Sequence, residues 1–323
     1  MVNEGASLYF WPVWSKPLRV GTVKGFGDEF DAEVSMRNRR HYLWTFWQGG
    51  NQRGLAGTKT QNLKAMMAVE RQTREAGTSI RITTMARDRD VVLFTDSAGA
   101  IGVRNNEGGW EFLPEPLVPV KRLALSGSGG LGAVIFETGE VAVFDPSTRT
   151  YLQRWKPEGE PRSLALQDDE KLLFIGYEDG SVGFSNPRDG SEVRPRIMAG
   201  SPGVEVMVVP HRREFLTRVD GDLHVRRWDG DSGRLLNSGM RHEDGVLWFS
   251  CSLDGRFLFS IDQKERDPVR GFLRVWSLRS GQEIVPALEH QAALNCVTIY
   301  ENGRRIATAS ADGTVRRWTI NQD

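Results

Sequence analysis

The stretch "HQAALNCVTIYENGRRIATASADGTVRRW" occupies residues 290–318. Its apolar and polar side chains alternate with a period of two, which is strand chemistry. "LNCVTIY" (294–300), "RRIATAS" (304–310) and "TVRRWTI" (314–320) read as three strands, separated by "ENG" and "ADG". Asn-Gly and Asp-Gly supply the positive φ angles that tight reversals between antiparallel strands require.

The same pattern recurs upstream. Glycine-led stretches return at "SAGAIGV" (97–103), "ETGEVAVF" (137–144), "YEDGSVGF" (177–184), "VDGDLHVRRW" (219–228) and "RGFLRVW" (270–276). Gly99, Gly139, Gly180, Gly221, Gly271 and Gly313 read as the turn glycines, with spacings of 40, 41, 41, 50 and 42 residues. The unit before the last reads "GVLWFSCS", "LDG", "RFLFSID", a longer loop, "FLRVWSL", then "RSG" and a fourth strand, "QEIVPAL". Four antiparallel strands in about 42 residues, repeated, describe the blade of a β-propeller.

Residues 290–318 and 242–276 carry a resemblance to the WD-repeat β-propeller family. In that family a His, a Ser or Thr, an Asp and a Trp form a hydrogen-bonded structural tetrad. The resemblance implies two such tetrads: His290, Ser310, Asp312 and Trp318, and His242, Ser260, Asp262 and Trp276. It fades upstream, where Ser201–Pro202 stands near the histidine position of the unit at 202–238. Arg104, Phe144 and Ser185 stand at or near the tryptophan position of the units at 78–117, 118–159 and 160–201. The Arg-heavy, Lys-poor usage, 34 against 8, and the junction "LRSGQEIVPALEHQ" (278–291) look like bacterial-type members.

The expected architecture is all-β, a single seven-bladed β-propeller over 1–323. Residues 1–24 form its closing region, 25–77 a degenerate first blade, and 78–323 six WD-like repeats. The last unit stops after its third strand, so an N-terminal strand, 7–14 in preference to 17–24, is expected to complete it and cover the edge. "NLKAMMAVERQTREAG" (62–77) carries helix formers and i,i+4 charge pairs. A short helix is expected over 62–76, the alternative being the first blade's fourth strand.

Composition argues against several functions. Forty-two basic residues balance 42 acidic ones, so no global field draws the chain to a polyanion or a membrane. No apolar run approaches the ~18 residues of a membrane span, and the start "MVNEGASLYFWPVW" lacks a secretion signal, which points to the cytoplasm. Cys251 and Cys296 read as buried thiols. "GLAGTKT" (54–60) breaks the Gly-Lys-Ser/Thr order of a phosphate loop. His41, His211, His224, His242 and His290 show no metal-ligand spacing. No catalytic residue, metal or cofactor is assigned. The paired arginines of "VRRW" point to opposite sides of a strand and cannot grip one phosphate run.

A non-enzymatic scaffold for protein partners, itself monomeric, is the expected function. The long gap before Gly271 marks an insertion at 262–270. Its Gln263, Lys264, Glu265, Arg266, Asp267 and Arg270 are candidate partner-binding residues, followed by Glu243, Asp244, Gln291 and Ala292. The alternatives are an enzyme or small-ligand propeller using a central channel, and a nucleic-acid-associated scaffold, against which the balanced charge argues.

Overall fold

The computed structural model describes residues 7–10, 18–22, 80–85, 91–96, 98–104, 110–114, 118–200, 202–264, 270–300, 303–311 and 314–320. Among these, the regular elements are strands throughout. The chain divides into two compact units, one of Met1–Lys64 with Val246–Asp323 and one of Ala65–Gly245. Near the start, β1 (Ser7–Phe10) and β2 (Leu18–Thr22) pair as an antiparallel hairpin from Ser7–Thr22 to Phe10–Leu18.

The unit of Ala65–Gly245 holds four four-stranded antiparallel sheets. They are β3 (Ile80–Met85), β4 (Val92–Asp96), β5 (Ile101–Arg104) and β6 (Trp110–Phe112); then β7 (Val120–Leu125), β8 (Gly132–Phe136), β9 (Val141–Asp145) and β10 (Thr150–Trp155). After these come β11 (Pro161–Leu166), β12 (Leu173–Tyr177), β13 (Ser181–Ser185) and β14 (Glu192–Met198), and β15 (Val204–Val208), β16 (Glu214–Val219), β17 (His224–Asp229) and β18 (Leu235–Arg241). In every sheet each strand pairs with its neighbour in sequence, a meander. Local reversals make this cheap, and Gly139, Gly180 and Gly221 take the left-handed φ angles, 80°, 86° and 74°, that their turns demand.

Burial runs across each sheet. The second strands β8 and β12 are buried at every position, while the fourth strands β10 and β14 are half exposed. First strands of successive sheets, β3, β7, β11 and β15, pack side by side. The apolar residues between sheets form continuous clusters, such as Phe174, Phe184, Val204, Val206 and Phe215. There the Phe174 and Phe215 rings stack at 4.5 Å. Each such ring removes some 150–250 Å² from water.

Polar groups reinforce the packing between sheets. Ser163 on β11 is buried; its Oγ donates to Val204 O at 2.8 Å and accepts from Val206 N at 3.1 Å, which ties two first strands that share no ladder. Gly176 on β12 leaves room for this tie, since a Cβ there would lie 2.5 Å from both Ser163 Oγ and Val204 O. A charged chain continues it. Lys121 reaches Glu160 at 3.1 Å, Arg162 bonds Glu178 at 2.8 Å and Asp220, and Arg218 bonds Glu205 at 2.9 Å and Asp220 at 3.2 Å.

The other unit holds β19 (Val246–Cys251), β20 (Phe257–Lys264), β21 (Arg270–Ser277) and β22 (Leu288–His290) as one sheet, and β23 (Leu294–Tyr300), β24 (Arg305–Ser310) and β25 (Val315–Thr319) as another. The fourth strand expected at "QEIVPAL" is broken. Ser277 N bonds Gln282 O and Ile284 N bonds Val275 O, and pairing then lapses until β22 rejoins β21 at Leu273–Leu288. Pro286 falls in this gap, where its missing N–H cannot serve a ladder.

The last sheet has three strands among the described residues. The expected closing segments at 7–14 and 17–24 contain β1 and β2, which pair with each other, and neither joins β25 among the described strands. The expected helix at 62–76 and first blade at 25–77 lie outside the described residues.

Two outcomes follow from these contacts. Replacing Ser163 with Ala orphans buried backbone groups and should lower unfolding free energy by about 1–3 kcal/mol in urea titrations. Gly176→Ala should destabilise through the same tie. In the turn after β12, the Ser181 hydroxyl and then its N–H hold the Asp179 carboxyl below its ordinary value. A lowered folded pKa contributes stability that is complete above the unfolded value near 3.9 and is lost as pH falls through the folded one. The stability gap between wild type and Ser181→Ala should therefore be widest above about pH 4 and close on acidification.

Candidate functional site

In the last sheet, the rung Ile306–Trp318 sets the indole opposite β24. Trp318 Nε1 donates to Thr308 Oγ1 at 2.9 Å, and His290 Nε2 lies 2.7 Å from the same oxygen. One hydroxyl, with one proton and two lone pairs, thus serves both rings. Thr308 and His290 are buried. Ser310, the hydroxyl expected to meet Trp318, instead donates to Ala292 O at 3.3 Å. The correction is one of register. Residues 306, 308 and 310 share a face, and the rung at 306 brings Thr308 within reach of the indole. Asp312 lies outside the described residues.

The preceding sheet repeats the bond with the expected partner, as Trp276 Nε1 donates to Ser260 Oγ at 2.8 Å. Asp262, fully buried, accepts from Arg274 Nε at 3.1 and 3.0 Å, and Arg274 Nη1 lies 3.4 and 3.3 Å from the Glu283 carboxylate. Asp262 therefore acts as counter-ion to a buried guanidinium. His242 belongs to the unit of Ala65–Gly245, where its Nδ1 lies 3.2 Å from Leu223 O.

A third instance was missed in the sequence because its histidine is absent. Trp228 Nε1 donates to Thr217 Oγ1 at 2.8 Å. The usable signal is a Ser or Thr two residues beyond the rung partner of the tryptophan: Phe215 then Thr217, Leu258 then Ser260, Ile306 then Thr308. Upstream, Phe144 pairs with Gly132 and Ser185 with Leu173, and the position two further on holds Val134 or Ile175, both buried.

The inserted segment is entered and left as ladder, with residues 265–269 outside the described residues. β20 and β21 pair over eight rungs, from Phe257–Ser277 to Lys264–Arg270, where β16–β17 and β24–β25 have five each. Three extra rungs carry the hairpin about 10 Å further. Gly271, read from sequence as a turn glycine, sits inside β21 opposite Gln263. It is needed for close approach, since a Cβ there would lie 2.7 Å from Leu294 N and 2.8 Å from Ala292 O. Arg270 is ion-paired to Glu289 at 2.5 Å, so it braces the hairpin's base. Glu265, Arg266 and Asp267 lie outside the described residues, while Gln263 and Lys264 occupy the last rungs before them. Gln291 is exposed and Ala292 half-buried; in the other unit Glu243 is exposed and Asp244 half-buried.

These meandering four-stranded sheets define a β-propeller, and solved structures agree. A chain of the mitotic checkpoint complex crystal structure superposes with a TM-score of 0.61 at 13% identity, covering 98% of this chain and 87% of that one. The structure of U3-55K gives 0.57 at 18% identity, covering 75% and 77%. Residues 283–319 match the family WD40 (WD domain, G-beta repeat), so this β-propeller carries a WD repeat there. Similar proteins include telomerase protein component 1 of Mus musculus, 24% identical over 48% of this chain, and the target of rapamycin complex subunit wat1 of Schizosaccharomyces pombe, 25% identical over 55%. Striatin-4 of Homo sapiens is 26% identical over 55%. The matches span 6%, 58% and 25% of those three proteins' own lengths.

The indole bonds make a discriminating prediction. Thr308→Val keeps shape but strips the acceptor from Trp318 and the partner from His290, which should cost about 1–3 kcal/mol in denaturant unfolding. Ser310→Ala should cost less, about 0.5–1.5 kcal/mol. The reverse order would overturn Thr308 as the hub.

Proposed function

We propose that this chain is a non-enzymatic scaffold that holds partner proteins, with the β20–β21 hairpin as a principal contact. The observation that carries this reading is the eight-rung ladder ending at Lys264–Arg270. A merely tolerated insertion has no need of added rungs. This one continues as paired strand, braced by Arg270–Glu289 and by the close approach at Gly271. Up to its last described rung, Lys264–Arg270, the braced ladder has little ordering entropy left to lose on binding. Gln263, Lys264, Glu265, Arg266 and Asp267 are the proposed contact residues, and Arg270 sets the base.

Two further observations support a binding role. The Schizosaccharomyces pombe relative is by name a subunit of a complex, and the first solved neighbour above comes from one. In the unit of Ala65–Gly245, the charged chain across three sheets buries its cations and leaves its acids outside. The side chains of Arg218 and Lys121 are 9% and 14% exposed, those of Asp220 and Glu160 39% and 68%. Solvent there meets carboxylates first, which sets the sign of the local field for an approaching partner.

The test is affinity purification with the intact chain and with a variant in which residues 263–271 are replaced by Asn-Gly, closing the Asp262–Phe272 rung with a two-residue turn. The variant should retain its fold by circular dichroism and lose at least one partner recovered by the intact chain. An unchanged partner set removes the hairpin from the reading.

A further inference from the structure

We infer that an ordered water molecule is bound between the sheets β11–β14 and β15–β18, held by the Gln167 carboxamide and the main chain of β15 at Val208. Gln167 is 3% exposed, and neither its Oε1 nor its Nε2 has a hydrogen-bond partner among the described residues. A buried amide left bare is costly enough that such groups are nearly always satisfied by protein or water.

The position itself calls for a polar solution. Ser126, Gln167, Val209 and Ser252 occupy equivalent places, each donating its backbone N–H across the turn between first and second strands, to Leu131, Leu172, Glu214 and Phe257 O. Ser126 and Ser252 satisfy their hydroxyls locally, accepting from Leu131 N at 3.1 Å and Phe257 N at 3.0 Å. Val209 has nothing to satisfy. Gln167 brings two donors and an acceptor into the same burial.

The partner follows from strand parity. Ser163, Ala165 and Gln167 alternate onto the side of β11 that meets β15, where Ala165 packs with Val204 and Val206 and Val208 lies against them. Val209 N bonds Glu214 O across to β16, so the even-numbered residues of β15 turn their N–H and C=O groups the other way. The Ser163 tie to Val204 O and Val206 N uses that edge. One repeat further along, it offers Val206 O, Val208 N–H and Val208 O. The next residue of that parity, Pro210, has no N–H. The Ser163 arrangement therefore cannot be copied directly at Gln167. A water can make the join, accepting from Nε2 or donating to Oε1 while bonding the Val208 main chain, within the three or so bonds typical of internal waters.

A crystal structure of the full chain, at a resolution that shows ordered solvent, decides the matter. The expected result is a water within about 3.2 Å of a Gln167 carboxamide atom and of a Val208 main-chain atom. A carboxamide bonded directly to protein atoms, or no solvent density there, overturns the inference without any variant. Gln167→Met, similar in length and apolar, should lose the water and lower the thermal midpoint by about 2–4 °C. A midpoint at or above wild type would mean an amide with no ligand, and would also overturn it.

Discussion

A buried tryptophan brings one N–H that must find an acceptor once water is gone. Among the described residues that need is met by one device, a Ser or Thr on the neighbouring strand, at Thr217 and Ser260 for the buried Trp228 and Trp276 and at Thr308 for the half-buried Trp318. Where the tryptophan is absent the hydroxyl is absent too, and Val134 or Ile175 takes its place. The two choices are coupled because a lone buried hydroxyl costs as much as a lone indole N–H, whereas replacing both leaves nothing unpaired. The upstream sheets have therefore exchanged one matched pair for another. Phe144 shows the apolar form, its ring lying where a Cβ on Gly132 would come within 2.3 Å of it. Resemblance to the WD repeat thins toward the N-terminus while the sheets stay the same.

That coupling explains which parts of the architecture were legible in the sequence. Alternation and turn glycines are local signals, and strands such as Leu294–Tyr300 fall where the pattern puts them. Register is not local. Counting back from the turn selects Ser310, whereas the rung at Ile306 selects Thr308, and only the pairing distinguishes them. Gly271 misled for a related reason: a glycine needed because another backbone passes close looks, in one dimension, like a glycine needed for a turn. The Ser163 tie and the Arg162–Asp220 pair join residues 41 and 58 positions apart, and no short-range pattern announces them.

The candidate site divides along the same line. The insertion was visible as a long gap between glycines, but its length alone suggests a loop. Pairing turns its flanks, residues 262–264 and 270, into rungs, so the ladder is braced up to Lys264–Arg270. Arg270 moves with it, from a candidate contact to a support held by Glu289. Energy considerations point the same way, since an exposed ion pair contributes little by itself and matters chiefly through the geometry it fixes.

The arginines that precede the tryptophans by two residues, in the two "VRRW" stretches and in "LRVW" (273–276), make the argument concrete. Arg226, Arg274 and Arg316 each stand two residues before a tryptophan and share its face. Arg226 and Arg274 are drawn into their own sheets, to Asp222 and Asp262, and Arg316 reaches Glu289 O on β22 of the preceding sheet at 2.6 Å. A guanidinium committed to a neighbouring carboxylate or carbonyl is a fork already filled, and it projects little free charge toward a polyanion. The arginine two residues before each of these indoles is therefore already committed to a neighbouring strand or turn. In the proposed reading, surface recognition falls to what the described repeats do not share, foremost the hairpin lengthened in the β19–β22 sheet.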